Sequence, residues 1–323
     1  MRVVVTGGAG FIGSNLVDDL LARGHRVVSL DNLSTGFARH LEAARHSGHF
    51  DAVECDLFTE PDRLADLFQG TDVVVHLAAN ADVRFGWNAP RRDLEQNVIA
   101  THNVLEGVRR AEVPRLLFSS TGSVYGEPEL FPTPETCPFP VQTSLYGASK
   151  LAGEGLIQAY AHGYGFTGVI FRFVSILGER YTHGHVFDFL RSLRADPTRL
   201  RVLGDGRQEK SYLYVGDCVA AMTLAIDHEL EQGAVHVYNL GADETIVVDE
   251  SIATITAHLG VAPELEYGGG TRGWLGDSPL IHLDCARIRA LGWRPTLTIP
   301  EGIRRTVDWL QQNPWALEER AAT

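Results

Sequence analysis

Tyr146 and Lys150 are the pair of side chains whose types and spacing best fit proton-transfer chemistry. They lie four residues apart, so a helix places them on one face. A phenol has an ordinary pKa of about 10 and is a poor base near neutral pH, but a nearby ammonium favours its ionised form. Ser119-Ser120-Thr121 ends an apolar run upstream of the pair and adds hydroxyl groups. The pattern predicts a tyrosine that moves protons beside a lysine.

A glycine-rich turn near the start of the sequence predicts a binding site for a dinucleotide. Gly7, Gly10 and Gly13 follow the run Val3-Val4-Val5 and open an amphipathic segment. Glycine lets the backbone turn tightly and approach a pyrophosphate, which the N-terminal N–H groups of the following helix then bind. The next β-rich run ends at Asp31, whose carboxylate accepts hydrogen bonds from ribose hydroxyls and repels a 2′-phosphate. The sequence therefore predicts NAD rather than NADP.

The composition predicts a globular protein that avoids polyanions. The 323 residues are 44% hydrophobic and 21% charged, with a formal net charge of −13. Such a charge opposes binding to nucleic acid and anionic membranes, and no apolar run reaches the roughly 18 residues of a membrane span. We therefore expect no nucleic-acid and no membrane partner. The four scattered cysteines contain no C-x-x-C pair, and we expect a cytoplasmic protein without a signal peptide.

The order of apolar runs predicts an α/β fold with a Rossmann-type doubly wound parallel sheet and a smaller C-terminal substrate-binding lobe. The predicted strands are Arg2–Thr6, Arg26–Asp31, Ala52–Asp56, Asp72–Leu77, Arg115–Ser120 and Gly168–Phe173. The predicted helices are Phe11–Arg23, Asp62–Phe68, Leu94–Arg110, Ser149–Ala161, Val186–Arg194, Asp217–His228, Val248–Leu259 and Pro300–Leu310. We predict an NAD-binding domain over residues 1–173, to which parts of about 215–243 return, and a mainly substrate-binding lobe over 174–323.

Together, these motifs resemble the extended short-chain dehydrogenase/reductase family, in its NAD-dependent epimerase/dehydratase branch, and are most similar to UDP-sugar 4-epimerases. The resemblance covers essentially the whole chain. Its segments are residues 6–13 (TGGAGFIG), Asp31, Cys55-Asp56-Leu57, His76-Leu77-Ala78-Ala79, Asn97, Ser119-Ser120-Thr121, Tyr146 with Lys150, Phe171-Arg172-Phe173, Gly204-Asp205-Gly206 and Tyr212 through Asp217.

The resemblance implies a role for each matching residue. Tyr146 is the acid/base, Lys150 holds the nicotinamide ribose and lowers the pKa of the tyrosine, and Thr121 hydrogen-bonds the sugar hydroxyl. The implied NAD-binding residues are Gly7, Gly10, Phe11, Ile12, Gly13, Asp31, Asn32, Asp56, Leu57, Leu77, Ala78, Ala79, Asn97, Ser119, Tyr146 and Lys150. The implied residues for a UDP-sugar are Arg84, Thr121, Ser123, Tyr146, Ser175, Arg180, Val186, Val202, Lys210, Tyr212, Arg272 and Asp277.

The reaction type can be inferred from carboxylates that some family members use in catalysis. This sequence lacks those carboxylates. Members share a first step in which tyrosine takes the C4-hydroxyl proton while hydride passes from C4 to NAD⁺. Dehydratases have an Asp-Glu pair after the threonine and decarboxylases a Glu two residues after it, whereas Gly122 and Ser123 follow Thr121 here. The chemistry left is hydride return to the other face of C4, which is 4-epimerisation. Dehydratase, decarboxylase, simple dehydrogenase and non-catalytic binding module are the alternatives.

Ser175 bears on the choice of sugar. UDP-glucose/galactose 4-epimerases usually have Asn at this place in the motif, whereas UDP-glucuronate 4-epimerases tend to have a small hydroxyl residue. A hydroxyl donor suits a sugar carboxylate, and Arg84, Ser123 and Arg180 would add further contacts. We predict interconversion of UDP-glucuronate and UDP-galacturonate, with UDP-glucose and UDP-galactose as the alternative.

Lys210 and Arg272 resemble the basic residues that hold the diphosphate in UDP-sugar 4-epimerases. Lys210 stands where arginine is common, which keeps the charge but loses bidentate geometry. Arg272 precedes its Gly-Asp pair at a longer spacing than usual. Solvated surface charges are the alternative for both.

The remaining signals predict packing rather than chemistry. His183-Gly184-His185 has no third ligand at suitable spacing, so we predict no metal. Tryptophans at 274, 293, 309 and 315 favour core or rim packing over a stacking platform. The resemblance implies a homodimer formed through the helix of Tyr146 and Lys150 and its neighbour around Asn97.

Overall fold

The protein, seen in a computed structural model, is described over residues 1–81, 86–139, 141–274 and 276–319. Its strands are β1 (Arg2–Thr6), β2 (Arg26–Asp31), β3 (Phe50–Glu54), β4 (Val73–His76), β5 (Arg115–Thr121), β6 (Thr167–Phe173), β7 (Ser175–Leu177), β8 (Arg199–Val202), β9 (Glu209–Lys210), β10 (Tyr212–Tyr214), β11 (Val235–Leu240), β12 (Ile246–Val247), β13 (Glu264–Tyr267) and β14 (Leu280–Ile281). Over these residues, seven strands form one parallel sheet in the order β11-β6-β5-β4-β1-β2-β3. The predicted α/β doubly wound parallel sheet is confirmed.

The helices cover both faces of this sheet. They are α1 (Phe11–Ala22), α2 (Leu64–Leu67), α3 (Pro90–Asp93), α4 (Ala100–Arg110), α5 (Leu145–Tyr164), α6 (His185–Ala195), α7 (Val215–Asp227), α8 (Val248–Leu259), α9 (Ala286–Ala290), α10 (Ile299–Gln312) and α11 (Trp315–Glu319), with a π-helical stretch at Leu94–Ile99. Val3, Val4 and Val5 are fully buried because α1 and α7 pack on one face of the sheet while α4 and α5 pack on the other. None of the described helices combines the length and apolarity needed to cross a bilayer.

The strand order reverses beside β1. The chain builds outward from β1 to β2 and β3 on one side, then returns to β4, β5 and β6 on the other. Ligands of such sheets bind in the crevice at the carboxyl ends of the strands, where the order reverses. The glycine turn after β1 and the residues after β4 and β5 meet at this crevice.

Most of the chain after β6 forms smaller units. Strand β7 pairs with β10, β8 with β13, and β9 with β12 and β14. Helix α10 packs against α6 and α8. Strand β11 nevertheless lies at the edge of the large sheet, next to β6. The division of function at residue 173 stays a prediction.

Several predicted boundaries differ from the structure by one or more residues, among them those of β3, α5 and α4. Strand β3 spans Phe50–Glu54 rather than Ala52–Asp56, because the Asp56 carboxylate accepts backbone N–H groups of the following turn and ends the strand. Helix α5 begins at Leu145 rather than Ser149, since Ser144 Oγ accepts the N–H of Gly147 at 3.0 Å and caps the helix. The predicted helix Leu94–Arg110 opens with the π-helical stretch, and regular α4 follows.

Candidate active site

In the dinucleotide turn, residues 7–13, the glycines carry no side chain and so leave space for a ligand beside the backbone. Gly7 has φ +69°, and a Cβ there would lie 2.7 Å from the backbone nitrogen of Ala78. A Cβ on Gly13 would collide with the carbonyl oxygen of Gly7. Helix α1 begins at Phe11 without a side-chain cap, so its N-terminal N–H groups are open to an anion. This cradle fits a pyrophosphate.

Asp31 ends β2 beside the turn. Its Oδ2 accepts the N–H of Ala9 at 2.9 Å and its Oδ1 accepts the N–H of Leu33 at 2.8 Å. Burial raises the pKa of this carboxyl above its ordinary value. Each oxygen keeps a second lone pair, so the carboxylate can still accept ribose hydroxyls. A Cβ added to Gly36 would lie 3.0 Å from Asp31 Oδ1, which shows how closely the next loop covers this group. The residues present fit NAD.

The catalytic candidates lie in the first two turns of α5. Lys150 is 2% exposed, and its Nζ donates to the carbonyl oxygen of Ser119 at 2.8 Å. The Tyr146 hydroxyl lies beside the side chain of Thr121, whose Oγ1 donates to Ser123 Oγ at 3.2 Å. Burial, with a smaller contribution from Asp93, raises the pKa of Tyr146, and burial lowers the pKa of Lys150 to about 7. Removal of water thus destabilises both charged forms, and whatever binds here decides their protonation.

A buried polar network supports this helix from the side. Asn97 Nδ2 donates to Ser149 Oγ at 2.9 Å, and Asn97 Oδ1 accepts the N–H of Asn80 at 2.8 Å. Asp93 Oδ1 accepts the side-chain N–H of Asn80 at 2.8 Å. Ser149 Oγ then donates to the carbonyl oxygen of Tyr146 at 2.8 Å. Asn97 therefore positions α5 rather than lining the crevice.

One cavity of about 500 Å³ runs from the dinucleotide turn past Tyr146 to the C-terminal units. It brings together most of the predicted residues. The predicted NAD-binding residues that line it are Gly7, Gly10, Phe11, Ile12, Gly13, Asp31, Asn32, Leu57, Leu77, Ala78, Ala79, Ser119, Tyr146 and Lys150. The predicted substrate-binding residues that line it are Thr121, Ser123, Tyr146, Ser175, Lys210, Tyr212 and Asp277.

Several predicted cofactor and substrate residues do not line this cavity. Asp56 is held by the side-chain N–H of Asn32 at 2.7 Å, and Asn97 belongs to the network beneath α5. Val186 and Val202 are fully buried behind the cavity wall. These four residues are therefore not placed to contact a ligand in the cavity directly.

Two predicted arginines point elsewhere, and a third is not described. Arg180 Nη2 forms an ion pair with Asp18 on α1 at 2.6 Å. Arg272 pairs with Glu127 at 2.7 Å at the surface and also donates to the carbonyl oxygen of Asp277. Neither arginine lines the cavity. Arg84 lies outside the described residues.

At the end of the cavity away from the dinucleotide turn, the positive charge of Lys210 is balanced by a carboxylate. Lys210 Nζ pairs with the buried Asp277 carboxylate and donates to the carbonyl oxygen of Ser278 at 2.8 Å. His185, at the start of α6, shares a hydrogen bond of 2.7 Å with Ser251 Oγ, and burial lowers its pKa to about 3. His185 is therefore neutral, and an anion here meets a lysine that already has one carboxylate partner.

Other polar residues of the cavity were not found from the sequence. They include Asn80, Gln96, Ser144, Thr182, Arg201 and Gln208. Ser144 had a usable signal, because it is a helix N-cap two residues before Tyr146. Arg201 lies at an exposed position of the short strand β8, where no motif marks it. Within the described residues, no cluster of three metal-ligating side chains occurs.

Comparison with known proteins agrees with this geometry. The profile of the NAD dependent epimerase/dehydratase family matches residues 3–241. UDP-glucose 4-epimerase of Mycolicibacterium smegmatis is 35% identical over 318 residues, which cover 96% of this chain and 99% of that protein. A solved UDP-galactose 4-epimerase is 36% identical, with a TM-score of 0.86 over 98% of this chain and 100% of the other.

A third similarity involves a different sugar. UDP-glucuronic acid 4-epimerase from Bacillus cereus, solved with UDP-glucuronic acid and NAD, is 26% identical, with a TM-score of 0.89 over 97% of this chain and 100% of that chain. The predicted enzyme family and its cofactor NAD are confirmed by the family match and by these full-length similarities. The chain belongs to the NAD-dependent epimerase/dehydratase family.

Proposed function

We propose that this protein is an isomerase, an NAD-dependent UDP-sugar 4-epimerase. The observation that carries the proposal is the single cavity that joins the dinucleotide turn, Tyr146 with Thr121, and Lys210. The cavity thus contains the glycine turn for the cofactor, Tyr146 for proton transfer and Lys210 as a cationic group for an anion. The relatives named above are UDP-sugar 4-epimerases, and the similarity covers nearly the whole length of each chain. They support the same reaction.

In this proposal, bound NAD would supply reversible hydride acceptance at C4 of the sugar. Tyr146 Oη takes the proton of the C4 hydroxyl and later returns it, while the Thr121 hydroxyl lies beside the tyrosine and hydrogen-bonds the sugar. Lys150 Nζ is anchored by Ser119 and keeps two N–H groups for ribose hydroxyls. Gly122 and Ser123 provide no further acid or base beside Thr121, which favours epimerisation over elimination or decarboxylation.

Substitution of Tyr146 by phenylalanine tests the proton-transfer role. Tyr146→Phe removes the hydroxyl but keeps the ring, so we expect kcat to fall by roughly 10²-fold or more while bound NAD is retained. Turnover of UDP-sugar and the NAD content of the purified protein are measured together. Unchanged turnover would mean that Tyr146 is not the proton acceptor, and no turnover of any UDP-sugar by the unaltered protein would favour a binding module.

We further propose that UDP-glucuronate and UDP-galacturonate are the preferred pair. Ser175 is exposed and lines the cavity, and the half-buried Ser123 beside Thr121 lines it too, so neutral hydrogen-bond donors are available to a sugar carboxylate. Arg180 does not contribute, because it is paired with Asp18. The similarity to the Bacillus cereus enzyme solved with UDP-glucuronic acid supports this preference.

UDP-glucose and UDP-galactose are the second candidate pair. They are favoured by the relatives with identities of 35% and 36%, which are epimerases of these sugars. Ser175→Asn separates the candidates: we expect the ratio of kcat/KM for UDP-glucuronate to that for UDP-glucose to fall at least tenfold, about 1.4 kcal/mol. A higher kcat/KM for UDP-glucose in the unaltered protein would overturn the uronate preference.

A homodimer in the cytoplasm completes the proposal. Leu94 (51%), Ile99 (37%) and Tyr164 (58%) expose large apolar surfaces on α5 and on the segment before α4, the elements expected to form the interface. The described cysteines are all unpaired, in keeping with a reducing compartment. Light scattering of the purified protein tests the dimer, and a monomer at micromolar concentration would contradict it.

A further inference from the structure

A loop at residues 36–41, here called the cover loop, closes the outer side of the dinucleotide turn. The N–H of Phe37 and Nδ1–H of His40 both donate to the carbonyl oxygen of Ala9, each at 3.0 Å. Ala9 in turn donates its N–H to Asp31 at 2.9 Å. The cover loop therefore fixes both the turn and the carboxylate that are expected to hold the adenosine half of NAD.

The two C-terminal helices hold the cover loop from outside. The ring of Trp315 on α11 meets the ring of Phe37 edge to face at 5.2 Å and lies 5.6 Å from that of His40. The guanidinium of Arg39 lies 4.2 Å above the Trp315 ring. Trp309 on α10 packs edge to face against Trp315 at 5.9 Å. Aromatic and cation–π contacts thus connect the end of the chain with a loop near its beginning.

Helix α10 also contacts the other half of the site. It packs against α6, whose first residue His185 lines the cavity, and against α8 and β10. Arg305 Nη1 donates to Tyr214 OH at 3.1 Å. A single helix, capped at its start by Thr298 and Glu301, therefore braces the substrate side while its end supports the cover loop.

We propose that the end of α10 and helix α11 form a clamp that keeps NAD bound through repeated turnovers by pressing the cover loop against the dinucleotide turn. Trp315 does not line the cavity, so it acts as a positioning residue. The benefit of the clamp rests on the proposed epimerase function, in which each turnover regenerates NAD⁺ and therefore requires no exchange of the cofactor. Its physical effect, slow release of NAD, is independent of that function.

Exchange of isotope-labelled NAD from the purified holoprotein into excess unlabelled NAD measures this effect. Trp315→Ala removes the ring that supports Phe37 and His40, and we expect NAD release to accelerate tenfold or more. Trp315→Phe keeps a ring in place and should remain within threefold of the unaltered rate. Glu318→Ala is the matched control on the same helix, because Glu318 is exposed and pairs with Arg194 at 3.4 Å, away from the cover loop.

A double-variant cycle separates the clamp from a general loss of stability. Phe37→Ala should accelerate release as Trp315→Ala does, and the double variant should add less than the product of the two effects. Val108→Ala opens the core beneath α4 on the opposite face of the sheet, and should lower Tm without faster release.

Release from Trp315→Ala within twofold of the unaltered rate would overturn the clamp. So would equal acceleration in Val108→Ala at an equal loss of Tm. Failure of the epimerase proposal would be seen separately, as no turnover by the unaltered protein, while the release rates stay measurable.

Discussion

Asp93 is a buried carboxylate that acts on Tyr146 and Lys150, the proposed catalytic pair, without lining the cavity. It is 2% exposed, and its Oδ1 is held by Asn80. Its negative charge raises the pKa of both Tyr146 and Lys150, although burial is the larger influence on each. A phenolate there is disfavoured by Asp93, and an ammonium is favoured. Asp93 therefore contributes to the pH range in which this pair would work.

Asp93→Asn keeps the shape of the side chain and removes its charge. The pKa values of Tyr146 and Lys150 should both fall, so we expect both limbs of the profile of kcat/KM against pH to move to lower pH, by roughly half a unit or more. Glu95→Gln, two residues along on the same turn and paired with Arg91, is the control and should leave the profile in place. Identical profiles for Asp93→Asn and the unaltered protein would contradict the prediction.

Some site residues can be predicted from local spacing in the sequence, whereas others depend on contacts between distant segments. Gly7, Gly13 and Asp31 could be predicted because their roles follow from local spacing along one strand, turn and helix. Arg180 and Arg272 could not, because each is turned away by a carboxylate distant in the sequence, Asp18 and Glu127 respectively. Spacing along the chain carries no information about which carboxylate a surface guanidinium will meet.

At the scale of elements, a buried ion pair ties α5 to the centre of the sheet. Glu154 is fully buried and accepts from Arg172 of β6 through both carboxylate oxygens, at 3.0 Å and 2.7 Å. Ser120 of β5, next to Thr121, donates to the same carboxylate. The pair thus fixes the strand end that carries Thr121 against the helix that carries Tyr146, the two residues with proposed catalytic roles.

Loss of one partner from this pair should be costly. Glu154→Gln leaves the Arg172 charge buried without a counter-charge, and we expect the free energy of unfolding to fall by about 3–5 kcal/mol in urea titration at fixed NAD concentration. Glu106→Gln breaks a partly exposed pair with Arg109 on α4 and should cost less than about 1 kcal/mol. Equal losses in the two variants would show that burial of the pair does not matter.

Elements differ in how well the sequence predicts them. The large-sheet strands β1 to β6 are continuous apolar runs, and periodicity locates them to within two residues. The predicted start of α5 is wrong by four residues, because Ser144 caps the helix upstream of the predicted start. Strands such as β9 and β12 have two residues each, too short for any periodic signal, and exist because tertiary packing brings them together.

At the scale of the whole molecule, three buried histidines lower stability in acid. Burial lowers the pKa of His40 to about 4 and of His76 and His185 to about 3, from 6.5. Between pH 6.5 and about 4, the unfolded chain therefore binds up to three protons that the folded chain does not. The free energy of unfolding should fall as pH falls through this window, by about 4 kcal/mol per pH unit near pH 5 from these groups.

Calorimetric unfolding in buffers of different ionisation enthalpy counts these protons directly. His40→Gln should reduce the uptake by about one proton near pH 5, because the remaining two histidines are untouched. The raised pKa values of Asp31 and Asp93 work in the opposite direction as those carboxyls are protonated. Equal uptake by His40→Gln and the unaltered protein would show that His40 is not buried in neutral form.

The position of β11 in the large sheet has a consequence for biosynthesis. On the ribosome, β6 is made long before Val235–Leu240, so its outer edge emerges with unpaired N–H and C=O groups. Such an edge is a template for intermolecular pairing. A nascent chain that stalls between these two strands is therefore exposed to aggregation, and cotranslational folding of the nucleotide-binding half ends only when the strand from the following half has arrived.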